Sequence, residues 1–421
     1  MPRRTSPVIP RPSRPESKAK KPASERRVSS ERRVAPIERR KAPSSAKSLM
    51  PVEVVFFFLY DVGRSIDLAK VVELVPAHKD LGIAKRRDTP ASLTLPTPLV
   101  LSLGLPEHPE AAGFDSFSSY AKIYEEGVVT VVVRVKACLP MGELHSLETV
   151  EVEYLGRGAM IKDYAEEGFA RLFEAVEGAI DEPRNFSEIG RESYIAYCLS
   201  DCGGAPSAFV ERNGAYFACL LTGETPGAAL HESQIAATLG SPFFYRDGDL
   251  AVFELDRCLI IDPRSDYEDL LLIAEHANYQ LLELRVLDTL LDTWLDEAED
   301  DIRHMSTGRK RLALLRSGIE LKVAHIQALR FDALFILENL ENSSKIIGDY
   351  YLGQVYARMC ELFNTDGWKW SVERRLDVLQ DVYEMFTSDS NERKLRWLEV
   401  AVIVVCVAAP IAEVFAIVFL K

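Results

Sequence analysis

The C-terminal segment constrains the fold most, because it is almost continuously apolar. From Val400 to Leu420, only Pro410 and Glu413 interrupt the run. A helix rises about 1.5 Å per residue, so this run would match the roughly 30 Å hydrocarbon core of a bilayer. The pattern predicts a transmembrane helix, with residues 390–421 forming a C-terminal membrane anchor. A buried C-terminal helix is the alternative.

The residues before the apolar run predict its orientation. Four basic or aromatic residues lie at the expected membrane interface: Arg393, Lys394, Arg396 and Trp397. Clustered cations favour the side of the membrane that stays in the cytoplasm. Because only Lys421 follows the run, the bulk of the chain is expected on that side. The prediction is a single-pass protein of a bacterial inner membrane, or of a mitochondrial inner membrane facing the matrix.

Glu413 lies inside the predicted span. An ionisable side chain at that depth is expected to seek a partner, which would be another copy of the chain or another membrane protein. Three small residues beside it would let a second helix approach closely: Ala408, Ala409 and Ala412. A protonated glutamate that faces lipid is the alternative interpretation.

Residues 1–50 differ in charge from the rest of the chain. They hold 15 Lys/Arg and four Asp/Glu, a net charge of +11, so residues 51–421 carry −25 of the total of −14. This segment has too few apolar residues to offset the conformational entropy that would be lost on folding, so a disordered basic tail is expected. The tail could contact nucleic acid or anionic lipid. A solvated linker and a mitochondrial transit peptide are the alternatives.

Residues 51–263 are predicted to form a soluble α+β or α/β body, as one unit or as two lobes. The run from Val54 to Tyr60 has the length and apolar character of a buried central strand. Further patterns predict a strand at 127–135, a helix at 164–179, strands at 194–198 and 215–221, and a hairpin through 246–249.

Residues 264–389 show a helical period instead. The sequence Ser-Asp-Tyr-Glu at 265–268 is typical of a capping box, and the helix it opens need not end before Gly308. A heptad-like seam follows: Leu284, Leu287, Leu291, Leu295, Ala298, Ile302 and Met305. The prediction is a long coiled-coil-like stalk of helices through which the chain forms a homo-oligomer.

The first stalk helix carries an acidic stripe. Asp288, Asp292 and Asp296 are spaced at i, i+4 on one face. Like charges at this spacing destabilise a helix by a few tenths of a kcal/mol each unless a cation neutralises them. A divalent ion or the basic residues 309–311 could do so, and the stripe is a candidate contact face. A solvated acidic face is the alternative.

Three stretches of the stalk and anchor resemble the YagE-like family, which includes the required-for-meiotic-nuclear-division proteins of mitochondria. These stretches are residues 314–321, 373–379 and 391–413. The chain is similar to a distant member. The resemblance implies an integral membrane protein that is oligomeric through its helices and supports translation at the inner membrane, without catalytic activity.

The motifs of common enzyme classes are missing from the sequence. It contains no His-Glu-x-x-His, no Gly-x-x-x-x-Gly-Lys and no Gly-x-Gly-x-x-Gly. We therefore expect no cofactor, no metal and no enzymatic activity. The favoured function is a membrane-anchored scaffold that presents the body to protein partners. A divalent-cation channel with the layout of CorA-type channels and a membrane-tethered enzyme of unknown chemistry are the alternatives.

Overall fold

The computed structural model describes residues 49–75, 98–225, 227–307 and 349–382, with a few helical positions between 327 and 338 and at 384, 399, 402 and 403. Nearly all of the predicted basic tail and of the anchor lies outside these residues. The same holds for the basic residues 309–311 and for the stretch 314–321.

Within the described residues, one seven-stranded sheet forms the centre of the fold. The strands are β1 (Leu49–Asp61), β2 (Ser65–Ile66), β3 (Leu99–Ser102), β4 (Ser116–Ile123), β5 (Val128–Pro140), β6 (Glu151–Tyr154), β7 (Arg157–Met160), β8 (Ile180–Asp181), β9 (Gly190–Leu199), β10 (Leu250–Phe253) and β11 (Arg257–Ile261). The order in the large sheet is β10-β11-β9-β1-β5-β4-β3. Only β9 and β11 pair in parallel among these neighbours. The body is therefore a mixed α+β structure.

The helices are α1 (Leu68–Leu74), α2 (Ile161–Val176), α3 (Pro206–Arg212), α4 (Gly214–Thr222), α5 (Glu232–Leu239), α6 (Glu268–Thr307) and α7 (Tyr350–Phe363). Residues 365–382 are also helical. Three short 3-10 helices occupy Pro109–Ala112, Met141–Glu148 and Glu177–Ala179.

The predicted central strand is confirmed. β1 pairs with β5 on one side and with β9 on the other. Its alternating side chains serve two separate cores, with Phe56 and Phe58 in one and Val55 and Phe57 in the other. A strand that is covered on both faces is apolar at most positions, which explains the continuous hydrophobic run from Val54 to Tyr60.

Helices cover the two faces of the sheet. On one face, α2 stacks Phe169 on Tyr60 with ring centroids 3.7 Å apart. On the other face, the first half of α6 buries Ala274 and Leu282 in the same core as α7. The helix predicted to open a free stalk therefore begins as part of the body.

The second half of α6 packs on other helices of the same chain. Leu287, Leu291 and Ala298 of the predicted seam form one apolar cluster with residues of the helical segment 365–382: Val372, Leu376 and Leu379. Residues of the same chain thus bury this part of the seam. Leu287, Leu291 and Ala298 are therefore not free to face a second copy of the chain, and these positions give the predicted homo-oligomer no support.

One predicted strand is wrong. Residues 215–221 lie in α4, which ends at Gly223 in the left-handed conformation with φ of 70°. Its apolar side chains are buried on several sides, including Phe217, Leu220 and Leu221. A short helix that is apolar around its circumference has no polar stripe, so its sequence cannot be distinguished from that of a buried strand.

The prediction of a transmembrane helix is wrong, and with it the single-pass membrane localisation and the membrane as a partner. None of the helices in the described part of the chain is long and apolar enough to cross a membrane. α6 has 40 residues but carries charged side chains along its length. Of the predicted span, the structure describes only Val402 and Ile403.

Candidate ligand-binding cavity

A cavity of about 610 Å³ lies at the carboxyl end of β11. Leu250 and Ile261 of the sheet line the cavity. The first turn of α6 forms one wall, and the start of α7 forms another. β11 is parallel to β9. The carboxyl ends of parallel strands are where open sheets commonly place ligands, because the chain leaves them in loops that can carry polar groups. We call this space the β11–α6 cavity.

The turn from β11 into α6 brings a carboxylate to the cavity. Asp262 accepts hydrogen bonds from the backbone N–H of Arg264 at 2.8 Å and of Asp266 at 3.0 Å. Between them, Ser265 has a φ of 54°, an uncommon value for a residue with a side chain. α6 begins only at Glu268, so the predicted capping serine precedes the helix by a tight turn.

The opposite side of the cavity carries two tyrosines. The rings of Tyr245 and Tyr351 have centroids 4.9 Å apart and are inclined by 38°. Asp249 fixes the loop that holds Tyr245, since its two carboxylate oxygens accept the backbone N–H groups of Tyr245 and Arg246 at 2.9 Å each. The aromatic wall is therefore held by hydrogen bonds to its own backbone.

Asp349 caps α7 at the same cavity. Its Oδ1 accepts the backbone N–H groups of Tyr351 at 2.8 Å and of Leu352 at 3.2 Å. Burial raises the pKa of the Tyr351 hydroxyl, and the negative charges of Asp249, Asp262 and Asp349 raise it further. Three carboxylates from three different segments therefore line the same cavity as Tyr351.

The lining of the cavity is acidic. Among the described residues it contains six acidic and two basic side chains, a formal charge of −4. One acidic side chain, Glu268, pairs with Arg134 of β5 through two hydrogen bonds of 3.0 and 2.6 Å. Arg246 lies 3.3 Å from Asp266. The N-terminal ends of α6 and α7 each carry about half a positive charge, which offsets only about one of these negative charges. The cavity therefore favours a cation.

A buried ion-pair network holds the wall of the cavity in place. Arg134 bridges Glu268 of α6 and Glu53 of β1, with an Nε–Oε1 distance of 2.7 Å to Glu53. Burial alone would raise the pKa of Glu53, but hydrogen bonds from Tyr267 and Arg134 lower it below its usual value. Two turns further along α6, Glu275 pairs with Lys122 of β4. The first turns of α6 are thereby fixed to the sheet.

The predicted acidic stripe lies elsewhere on α6. Arg375, from the helical segment 365–382, pairs with Asp288 and lies 3.2 Å from Asp292. Asp296 is exposed. The cation that neutralises the stripe is thus a side chain of a later helix. None of the three aspartates lines the β11–α6 cavity.

The remaining predicted site residues lie outside the described part of the chain. They are Glu413 with Ala408, Ala409 and Ala412, and the flank of Arg393, Lys394, Arg396 and Trp397. Within the described residues, no group of three or more His, Cys, Asp or Glu side chains is placed to hold a metal ion.

Sequence reasoning missed the β11–α6 cavity. Three of its carboxylates, Asp249, Asp262 and Asp349, each have a local role as a cap of a turn or a helix. The useful signal was the clustering of acidic residues at 262–269, just after β11. Their partners at 245–249 and 349–351 are brought to them only by the fold.

The fold and the cavity define a class: an α+β protein with a mixed seven-stranded sheet and an acidic, aromatic-walled cavity at one end of it. The chain belongs to the family described as "Uncharacterized protein MJ0711, N-terminal domain", whose model matches residues 52–268. This match runs from β1 to the first residue of α6. It therefore includes Tyr245, Asp249 and Asp262, whereas Asp349 and Tyr351 lie beyond it.

A relative with the same description supports the assignment. The uncharacterized protein MJ0711 of Methanocaldococcus jannaschii is 26% identical over 231 residues, which cover 54% of this chain and 68% of the relative. No solved structure gave a significant match to the chain. The relationship is distant and carries no function of its own.

Proposed function

We propose that the protein is a non-enzymatic interaction protein that binds a partner polypeptide at the loop of residues 242–249. The observation that carries this proposal is the exposure of two adjacent aromatic side chains at two concave surfaces. Phe244 is 50% exposed and Tyr245 is 55% exposed. Phe244 lines an apolar groove, and Tyr245 lines the β11–α6 cavity.

The groove beside Phe244 has a volume of about 460 Å³. Its apolar lining comes from α3, α5 and β10, including Val210, Ile235 and Leu239. Grooves of this kind accept an apolar side chain or one face of an amphipathic segment. Aromatic residues at such positions commonly act as the anchors of a protein interface, because they bury a large area at little cost in side-chain entropy.

The loop is ordered before any partner binds. Phe243 forms two backbone hydrogen bonds with Ala251 of β10, at 2.7 and 2.9 Å. Asp249 holds the following turn through its two backbone hydrogen bonds. A loop that is already fixed loses little conformational entropy on binding, which favours affinity.

The relationship to the YagE-like family belongs to the same proposal. Of the three stretches that resemble it, residues 373–379 lie in the described helical segment, where Leu376 and Leu379 pack against α6. A distant membership would agree with a role in protein interaction without catalysis. The alternative of a divalent-cation channel required a membrane span and is dropped. The alternative of an enzyme stays a prediction.

The proposal can be tested with a random peptide library displayed on phage and selected against the full-length protein. Peptides that bind the wild type should bind the double variant Phe244→Ser/Tyr245→Ser about tenfold more weakly or worse, because both anchors are lost. Affinity is measured with synthetic peptides by isothermal titration calorimetry.

Trp370→Ser is the matched control, since Trp370 is 60% exposed and lies on the helical segment 365–382 rather than at the loop. Its affinities should equal those of the wild type. Selected peptides that bind the wild type and the double variant equally would contradict the proposal, as would a selection that yields no specific peptide.

A further inference from the structure

The β11–α6 cavity combines two features that recognise an organic cation: aromatic faces and fixed carboxylates. Tyr245 and Tyr351 supply the aromatic wall, with ring centroids 4.9 Å apart. Ring faces attract cations through the quadrupole of the π system, and more strongly where the pair is shielded from water. A volume of about 610 Å³ is large enough for a side chain with its flanking backbone.

Arg246 shows how such a cation fits at the rim. Its guanidinium carbon lies 5.2 Å from the centroid of the Tyr245 ring. Its Nη1 lies 3.3 Å from Oδ2 of Asp266. One side of the cavity therefore already holds a guanidinium group between an aromatic ring and a carboxylate. This contact shows which chemistry the lining suits.

The lining offers the same two elements again at Tyr351. Asp249, Asp262 and Asp349 line the cavity together with Tyr351, and Asp349 accepts the backbone N–H of Tyr351. In the described part of the chain, none of these three carboxylates has a basic side chain within salt-bridge distance. Each accepts two backbone N–H groups. A carboxylate offers about four acceptor positions, so each can accept further hydrogen bonds.

Fixing the carboxylates in advance matters for the strength of the site. Backbone hydrogen bonds set their positions, so a ligand would not have to order them. A guanidinium group presents a rigid planar set of five donors, which suits several carboxylates arranged around it better than a compact ammonium does. An acidic lining also repels anionic side chains, which adds selectivity.

We propose that the β11–α6 cavity binds the guanidinium group of an arginine in a partner polypeptide, with Tyr351 as the aromatic face and Asp249, Asp262 and Asp349 as the acceptors. This inference rests on the proposed function, because it names the residue type that the partner inserts beside the loop 242–249.

The test compares two synthetic peptides against the full-length protein by isothermal titration calorimetry. One peptide is Gly-Arg-Gly-Arg-Gly with blocked termini, and the other has citrulline in place of both arginines, which keeps the shape and removes the charge. The arginine peptide should bind about tenfold or more tightly than the citrulline peptide, and added salt should weaken it.

The triple variant Asp249→Asn/Asp262→Asn/Asp349→Asn tests the assigned residues. Asparagine still caps turns and helices, so the fold is kept while three charges are removed. Circular dichroism verifies the fold. The arginine peptide should bind this variant about tenfold or more weakly than the wild type. The matched control is Asp67→Asn/Asp201→Asn, because these residues also accept backbone N–H groups but lie outside the cavity.

Several outcomes would overturn the inference. Equal binding of the arginine and citrulline peptides, unchanged affinity in the triple variant, or no binding at millimolar peptide would each do so. Binding of spermidine or calcium chloride in place of the peptide would assign the cavity to a small cation. If the phage selection yields loop-dependent peptides that lack arginine, the interaction role stands and the arginine assignment fails.

Discussion

Glu283 gives the sharpest prediction about stability, because it is a buried acid beside other acids. It lies on α6 and is only 8% exposed. Burial raises its pKa to about 8, and the nearby carboxyl groups of Asp61 and Glu126 add to this, while a hydrogen bond with Tyr279 opposes it. Asp61 is paired with Arg184 at 2.6 Å. At neutral pH, Glu283 is therefore mostly protonated in the folded protein.

The sign of the pH dependence follows from this raised pKa. Between the ordinary value of 4.5 and about 8, the folded protein holds a proton that the unfolded chain has released. The contribution of Glu283 to stability is therefore fully present below pH 4.5 and is lost as the pH rises towards 8. Each pH unit in this interval is worth about 1.4 kcal/mol, and the whole interval roughly 3 to 5 kcal/mol. That is a large part of the 5–15 kcal/mol typical of a folded protein.

Glu283→Gln isolates this effect, because glutamine has nearly the same shape and stays neutral. The free energy of unfolding is measured by urea titration at several pH values from 5 to 8.5, with circular dichroism as the signal. The variant and the wild type should be similar at pH 5, and the variant should be more stable by roughly 3 kcal/mol at pH 8.5. Glu174→Gln, an exposed residue of α2, is the control. A stability difference that stays constant with pH would refute the reasoning.

Three further substitutions test the packing of the fold. Gly127→Ala should lower the free energy of unfolding by more than about 2 kcal/mol, because a Cβ there would lie 2.2 Å from a backbone carbonyl oxygen. The control Gly113→Ala, also at positive φ but in open space, should lower it less. Equal losses of stability in thermal unfolding would contradict the clash. Leu291→Ala, at a fully buried position, should cost about 2–5 kcal/mol in urea unfolding, and a loss under about 1 kcal/mol would refute its place in the cluster. Arg375→Met should leave two aspartates of α6 without their cation and speed amide exchange in residues 365–382; unchanged exchange would show that the pairs add nothing.

Local patterns predicted the elements whose burial follows one simple rule. β1 is apolar from Val54 to Tyr60 because both of its faces are covered, and the second half of α6 shows a heptad-like period because one of its faces packs on residues 365–382. The strand predicted at residues 215–221 was wrong, because these residues form α4, whose burial follows from its surroundings and not from a helical period in its own sequence. The predicted membrane helix was wrong because none of the helices among the described residues is both long and apolar enough to cross a bilayer.

The candidate site could not be predicted in the same way. Tyr245, Asp262 and Tyr351 come from three segments that are distant in the chain, and only the packing of α6 and α7 on the sheet brings them together. Asp249, Asp262 and Asp349 also each cap a turn or a helix, and this local role hides their place in a site. The acidic stripe at 288–296 had the opposite problem: its charges were visible, but their partner Arg375 lies over 80 residues away.

α6 belongs to two hydrophobic cores at once. Its first half completes the core on the sheet, and its second half forms the cluster with residues 365–382. Most of the stability of a helix in a protein comes from the packing of its apolar face, so both cores support this helix of 40 residues. Losing either core would leave half of the helix unsupported and weaken the other. We therefore expect the body and the later helices to unfold cooperatively, in a single transition.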